Sequence, residues 1–217
     1  MDSGINYVGV RVSIVNGISF GGGVLEVVKD YSPEESVCVR GEVVSLPLRI
    51  MGGVDGMDWY CDNALEVGDE VWFDYHEALM AMGSLADRYQ EHEDSRYMFD
   101  GEDLILFIRY DFIYYGVRDG VKVMLNGYYF VEVLENSREV EGIMFKEEVN
   151  KKVRYCKVLD VGGDVSYVNE SYSHPEVNVG DVLLVIKNSL RVVSNSLYVG
   201  GGVVVQSRFV LGRVVNG

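Results

Sequence analysis

Three places in the sequence gather side chains that chemistry can use. Glu91-His92-Glu93-Asp94 brings a base and three carboxylates together, His76 precedes Glu77, and Gly21-Gly22-Gly23 offers bare backbone to a phosphate. Each falls short of the pattern its chemistry needs. A metal centre requires ligands spaced to converge, as in H-E-x-x-H on a helix, whereas residues 91–94 are simply adjacent. They are expected to be the solvated part of an insertion. A phosphate cradle continues as G-x-G-x-x-G or into G-K-[ST] and then a helix, and neither follows Gly23. His76 and His174, the latter just before Pro175, are expected in loops. No nucleophile stands with a base and an orienting group. The expectation is a protein that is not an enzyme and needs no cofactor or metal.

Charge and cysteine usage narrow the partners. The 217 residues carry a formal net charge of −15. Binding a phosphate backbone takes a concentrated basic face, so no nucleic-acid partner is expected. Cys38, Cys61 and Cys156 are odd in number and lack C-x-x-C spacing, which suits reduced thiols in a cytoplasmic protein. Met1-Asp2-Ser3-Gly4 shows no signal-peptide pattern, and no apolar run is long enough to cross a bilayer, so no membrane partner is expected. Asn169-Glu170-Ser171 fits a glycosylation acceptor by chance.

The elements that would position any site are strands. Tyr7–Val15, Val37–Leu46, Glu70–Tyr75 and Leu104–Tyr110 are rich in Val, Ile, Tyr and Phe, as are Tyr128–Leu134, Arg154–Val161, Val182–Ile186 and Val203–Val210. β-branched and aromatic runs bounded by Gly, Asp, Asn and Ser are the strand signature. Their alternation is imperfect, as expected of barrel strands partly buried on both sides. Only Glu77–Gln90 has helix-forming composition, and one short helix is expected there.

The elements recur. Leu65-Glu66-Val67-Gly68-Asp69-Glu70-Val71-Trp72-Phe73 is echoed by Val177-Asn178-Val179-Gly180-Asp181-Val182-Leu183-Leu184-Val185, nearly half a chain later. Upstream, Val39-Arg40-Gly41-Glu42-Val43-Val44 answers Tyr155-Cys156-Lys157-Val158-Leu159, and Tyr7–Val15 answers Tyr128–Glu135. A recurring order of short strands predicts two units in tandem. The first spans residues 1–119, with an insertion of roughly Leu79–Tyr97, and the second spans 120–217. Two closed barrels would also remove exposed strand edges.

This order resembles the GroES (chaperonin-10) family. In the first unit the resemblance rests on Gly22-Gly23-Val24-Leu25, Arg40-Gly41-Glu42-Val43, Val67-Gly68-Asp69-Glu70-Val71-Trp72-Phe73 and Ile108–Ile113. In the second it rests on Glu141-Gly142-Ile143-Met144-Phe145, Tyr155–Leu159, Asp160–Gly163, Val179-Gly180-Asp181-Val182 and Ser207–Val210. The resemblance implies an all-β chain of two small GroES-like barrels that caps or docks on a chaperonin ring and assists folding. It assigns the apolar docking tripeptide to Ile143, Met144 and Phe145, with Val24 and Leu25 as the remnant in the first unit. It further implies a homo-oligomer, with Val8, Val10 and Val12 of an N-terminal strand pairing a neighbour. Phe112 and Ile113 would pair with Tyr128–Val133 inside the chain. The alternative is the same fold used as a structural or assembly protein, for example within a virus particle, without a chaperonin partner.

Overall fold

The computed structural model describes residues 4–12, 38–54, 56–82, 96–101, 103–134, 139–140, 143–144, 153–163, 165–167, 176–193 and 202–214. In chain order its strands are β1 (Tyr7–Val12), β2 (Cys38–Ser45), β3 (Trp59–Tyr60), β4 (Glu70–Asp74), β5 (Tyr97–Asp100), β6 (Asp103–Arg109), β7 (Ile113–Arg118), β8 (Val121–Met124) and β9 (Tyr128–Val133). They continue as β10 (Glu139–Val140), β11 (Ile143–Met144), β12 (Val153–Val161), β13 (Ser166–Tyr167), β14 (Val182–Ile186), β15 (Arg191–Val193), β16 (Gly202–Gln206) and β17 (Val210–Val214). One α-helix, α1 (Tyr75–Ala81), is found among the described residues. The chain is therefore all-β in class, with two large antiparallel sheets.

Strand β1 shows the logic of the first sheet. Val8, Val10 and Val12 alternate inward and are essentially unexposed, packed with Val43, Val71, Phe73, Leu106 and Ile108. Each such side chain contributes about 1.5–3 kcal/mol by leaving water. The second sheet builds its own core from Tyr129, Val131, Cys156, Val158, Leu183, Val185 and Val205. Helix α1 starts two residues before the expected Glu77, because the Asp74 carboxylate accepts from the backbone N–H groups of His76 (2.7 Å) and Glu77 (3.4 Å). Ala78 and Ala81 then face the first core.

The first sheet runs β5-β6-β1-β2-β4-β7-β8 and the second runs β15-β16-β9-β12-β14-β17. Apart from β8, the two follow one order. Their irregularities coincide as well. Val44 is skipped where β1 meets β2, as Leu159 is where β9 meets β12. Tyr114 is skipped between β4 and β7, as Leu211 is between β14 and β17. A single 3-10 turn, Tyr110–Phe112 or Ser207–Phe209, separates the last two matching strands in each sheet.

Two expectations change. The ladders among the described residues do not close either sheet into a barrel: β5 and β8 end the first, β15 and β17 the second. Strand β8 extends the first sheet beyond β7 through the turn at Asp119-Gly120 instead of joining its two ends. The passage between sheets also falls at Leu125-Asn126-Gly127, later than the expected boundary between 119 and 120, because β8 belongs to the first sheet.

Candidate docking hairpin and the joint between the sheets

Ile143 and Met144 form β11, which pairs antiparallel with β10 in the register Glu139 to Met144 and Val140 to Ile143. Among the described residues this two-stranded sheet pairs with neither large sheet, and it arises between β9 and β12, the first two strands of the second unit. Phe145, Val24 and Leu25 lie outside the described residues, as do Gly21–Gly23, residues 91–94 and His174.

The strands expected at an oligomer interface are placed differently. Both edges of β1 are taken within the chain, by β2 on one side and β6 on the other. Val8, Val10 and Val12 thus serve the chain's own core. Ile113 is also unexposed there, while half-buried Phe112 lies under the Arg109 guanidinium at 4.5 Å. Strand β7 pairs with β4 and β8, not with β9, which lies between β12 and β16. The link between units is made by side chains and by the short β3–β13 ladder, with β8 as the connecting strand.

That link is a second apolar cluster between the sheets. Trp72, Tyr114, Tyr115 and Met124 of the first meet Tyr128, Phe130, Val193 and Val204 of the second. Strands β4 and β9 are buried on both faces. Val71 and Phe73 enter the first core while Trp72 between them enters the joint; Tyr129 and Val131 enter the second core while Tyr128 and Phe130 enter the joint. Double burial explains the unbroken apolar runs that blurred the alternation. Trp72 stacks on Tyr115 with centroids 4.7 Å apart, and Tyr114 meets Tyr128 edge-on at 5.0 Å.

Charges cross the joint at its margin. Lys122, with a side chain only 8% exposed, reaches Asp160 at 3.0 Å, and its ammonium lies 4.1 Å from the Phe130 ring centroid. Arg191 faces Asp74 at 3.7 Å, and the Tyr114 hydroxyl donates to the same carboxylate at 2.7 Å. Arg208 pairs with Asp58 at 3.2 Å and lies over Trp59 at 5.6 Å. Beside it β3 pairs with β13, matching Trp59 to Tyr167, and Met57, Trp59 and Val165 are buried together. These partners are far apart in sequence, so no local motif announces them.

The repeated V-G-D turns are structural. Gly68 and Gly180 take φ of 96° and 95°, a left-handed conformation that glycine adopts without a Cβ penalty. Asp69 then accepts from Glu66 N at 2.8 Å, as Asp181 does from Asn178 N at 2.9 Å. Each carboxylate also receives an arginine from the adjoining strand, Arg118 at 2.8 Å and Arg213 at 3.2 Å. The hydrogen bonds from Arg118 hold the Asp69 carboxyl below its ordinary range.

Buried polar groups at the passage between sheets are held by hydrogen bonds to backbone and to one another. Asn126 donates to Tyr110 O at 2.6 Å and Ile113 O at 3.0 Å, and accepts from the Cys61 thiol at 3.5 Å. Burial, reinforced by Asp111 and Asp62, pushes that thiol up to about 12, so it stays protonated. Burial likewise raises Asp111 to about 6, opposed by its two-point pairing with Arg109 at 2.6 and 2.8 Å. His76 is exposed in the first turn of α1 rather than in a loop, and Glu77 is buried against Arg96 at 2.6 Å. Among the described residues no three His, Cys, Asp or Glu side chains gather as a metal would require, and no helix is long and apolar enough to cross a membrane. No protein-family model and no curated protein matches the chain.

Proposed function

We propose that the chain is a docking protein of co-chaperonin type, built from two divergent GroES-like units, whose β10–β11 hairpin presents Ile143 and Met144 to an apolar groove on a chaperonin ring. The observation that carries this reading is the separation of that hairpin from both large sheets. A short strand pair that, among the described residues, pairs with no larger sheet is suited to pairing with another protein. Its position between the first two strands of the second unit is where the family resemblance puts the docking loop. The shared strand order and the shared skipped residues support the reading of two copies of one unit.

The test replaces Ile143, Met144 and Phe145 together by serine and measures co-sedimentation with a chaperonin ring in the presence of ATP. The wild-type chain is expected to sediment with the ring and the variant to stay behind, with an unchanged unfolding midpoint. Equal sedimentation of both overturns the assignment of the hairpin. Failure of the wild-type chain to sediment overturns the co-chaperonin reading and favours an assembly or structural role, such as a virus-particle component.

A further inference from the structure

The passage between the sheets carries an amide pair, Asn126-Gly127, that can convert itself. With no side chain on residue 127, its backbone nitrogen can reach the Asn126 side-chain carbon and close a five-membered ring. A bond forms between Gly127 N and Asn126 Cγ, the Gly127 N–H loses its proton, and the Cγ–Nδ2 bond breaks to release ammonia. Water then opens the resulting succinimide at either carbonyl, leaving aspartate or, with the main chain routed through Cγ, isoaspartate. The balance needs water alone as co-reactant.

The folded chain restrains the atoms that must move. Asn126 is 4% exposed. Its Nδ2, the group that would leave, donates to Tyr110 O at 2.6 Å and Ile113 O at 3.0 Å, while Oδ1 accepts from the Cys61 thiol at 3.5 Å. The backbone is held as well. Residues 126 and 127 take φ of 53° and 61°, and Tyr128 N donates to Leu125 O at 2.9 Å across the turn. Leu125 N donates to Tyr114 O of the first unit, and Ser207 N of the second donates to Gly127 O, both at 3.0 Å. On either side, Met124 and Tyr128 belong to the aromatic cluster of the joint. The turn is thus tied to both units, and the sheets cannot part without bending it.

The product does not fit the place of the reactant. Tyr110 O and Ile113 O need a donor from residue 126, and a carboxylate only accepts. Buried there, it would face both oxygens without a proton to offer. Isoaspartate also inserts an extra carbon into the main chain of the turn.

We propose that Asn126-Gly127 is a modification site gated by the joint: closed sheets keep the amide intact, and parted sheets let it convert to aspartate or isoaspartate, after which they do not re-close. A transient opening thereby becomes permanent, as happens when an opened chain is chemically changed before it can refold. The inference rests on the joint and the turn, and not on chaperonin docking.

Mass spectrometry of the tryptic peptide of residues 123–138 follows the conversion in mildly alkaline buffer, with Asn16→Gln and Asn216→Gln removing the chain's other two Asn-Gly pairs. The folded chain is expected to convert more than about a hundredfold slower than the same chain in urea. Phe130→Ala, which opens the joint, should speed conversion of the folded chain at least about tenfold. Leu183→Ala, which opens the second core, should leave the rate near its starting value. A chain converted in urea should keep red-shifted tryptophan emission once urea is removed, whereas a chain held there briefly regains native emission. Asn126→Asp, made directly, should show the same red shift. A folded chain that converts as fast as in urea overturns the proposal, as does a Phe130→Ala chain no faster than Leu183→Ala. Native emission from the converted chain or from Asn126→Asp overturns it too.

Discussion

Replacing Phe130 by alanine tests whether the aromatic cluster is what holds the two sheets together. The ring has no exposed surface and lies among Trp72, Tyr114, Tyr115, Met124 and Tyr128, with Lys122 against it at 4.1 Å. Removing a buried phenyl group costs about 3–5 kcal/mol through lost transfer energy and the cavity left behind. Losing the ammonium's contact with the ring face adds about 1 kcal/mol. Against a total stability of about 5–15 kcal/mol for a typical domain, that is a large share. The chain has two tryptophans, Trp72 in this cluster and Trp59 beside the adjoining β3–β13 pair, so emission reports the joint directly. Urea unfolding followed by tryptophan emission should show a loss of about 4–6 kcal/mol and red-shifted emission before unfolding begins. Leu183→Ala is the control, since it opens the second core and leaves the joint alone. It should cost about 2–5 kcal/mol with little change in native emission. A Phe130→Ala cost below about 1 kcal/mol would refute the reasoning. So would native emission that responds to Leu183→Ala and ignores Phe130→Ala.

Two further outcomes follow from local geometry. Asp69 has a folded pKa below its unfolded value, so its pairing with Arg118 adds stability above the unfolded pKa. That contribution is lost as pH falls through the folded one. Urea midpoints measured from about pH 5 down to about pH 3 should therefore fall less steeply in Asp69→Asn than in wild type, and parallel slopes would remove Asp69 from the acid response. At Gly41, an added Cβ would meet Arg11 O at 2.6 Å and Val10 Cγ1 at 2.5 Å. Gly41→Ala should push β1 off β2 and cost about 1–3 kcal/mol by overpacking, with an unchanged thermal midpoint as the contrary result.

Much of the fold was legible because strands announce themselves locally. Eight apolar segments marked the centres of β1, β2, β4, β6, β9, β12, β14 and β16. The recurring V-G-D turns gave the order they share. Three things were not legible. Alternation in β1 says that Val8, Val10 and Val12 face one way, but not whether a neighbouring chain or the chain's own core covers them. The run Ile113-Tyr114-Tyr115-Gly116 has no alternation because it is buried on both faces, which hid β7 and the joint together. The pairs Lys122–Asp160, Arg191–Asp74 and Arg208–Asp58 depend on how the two sheets pack, and no spacing in the sequence encodes that. The triplet Ile143-Met144-Phe145 was singled out by its place in the family resemblance, and the separation of β10–β11 from the large sheets among the described residues emerged only in three dimensions.

The position of β1 in the first sheet also sets an order of events during synthesis. Its long ladder is with β6, joining Val8 to Ile108 and Val12 to Leu104, so β1 must wait for a strand made much later in its unit. Pairings of such long sequence separation form slowly, whereas the β5–β6 and β7–β8 hairpins close locally and early. Until Arg109 has emerged, the valines of β1 have only part of their eventual cover. A ribosome that stalls before that point would leave an apolar strand edge open to other chains.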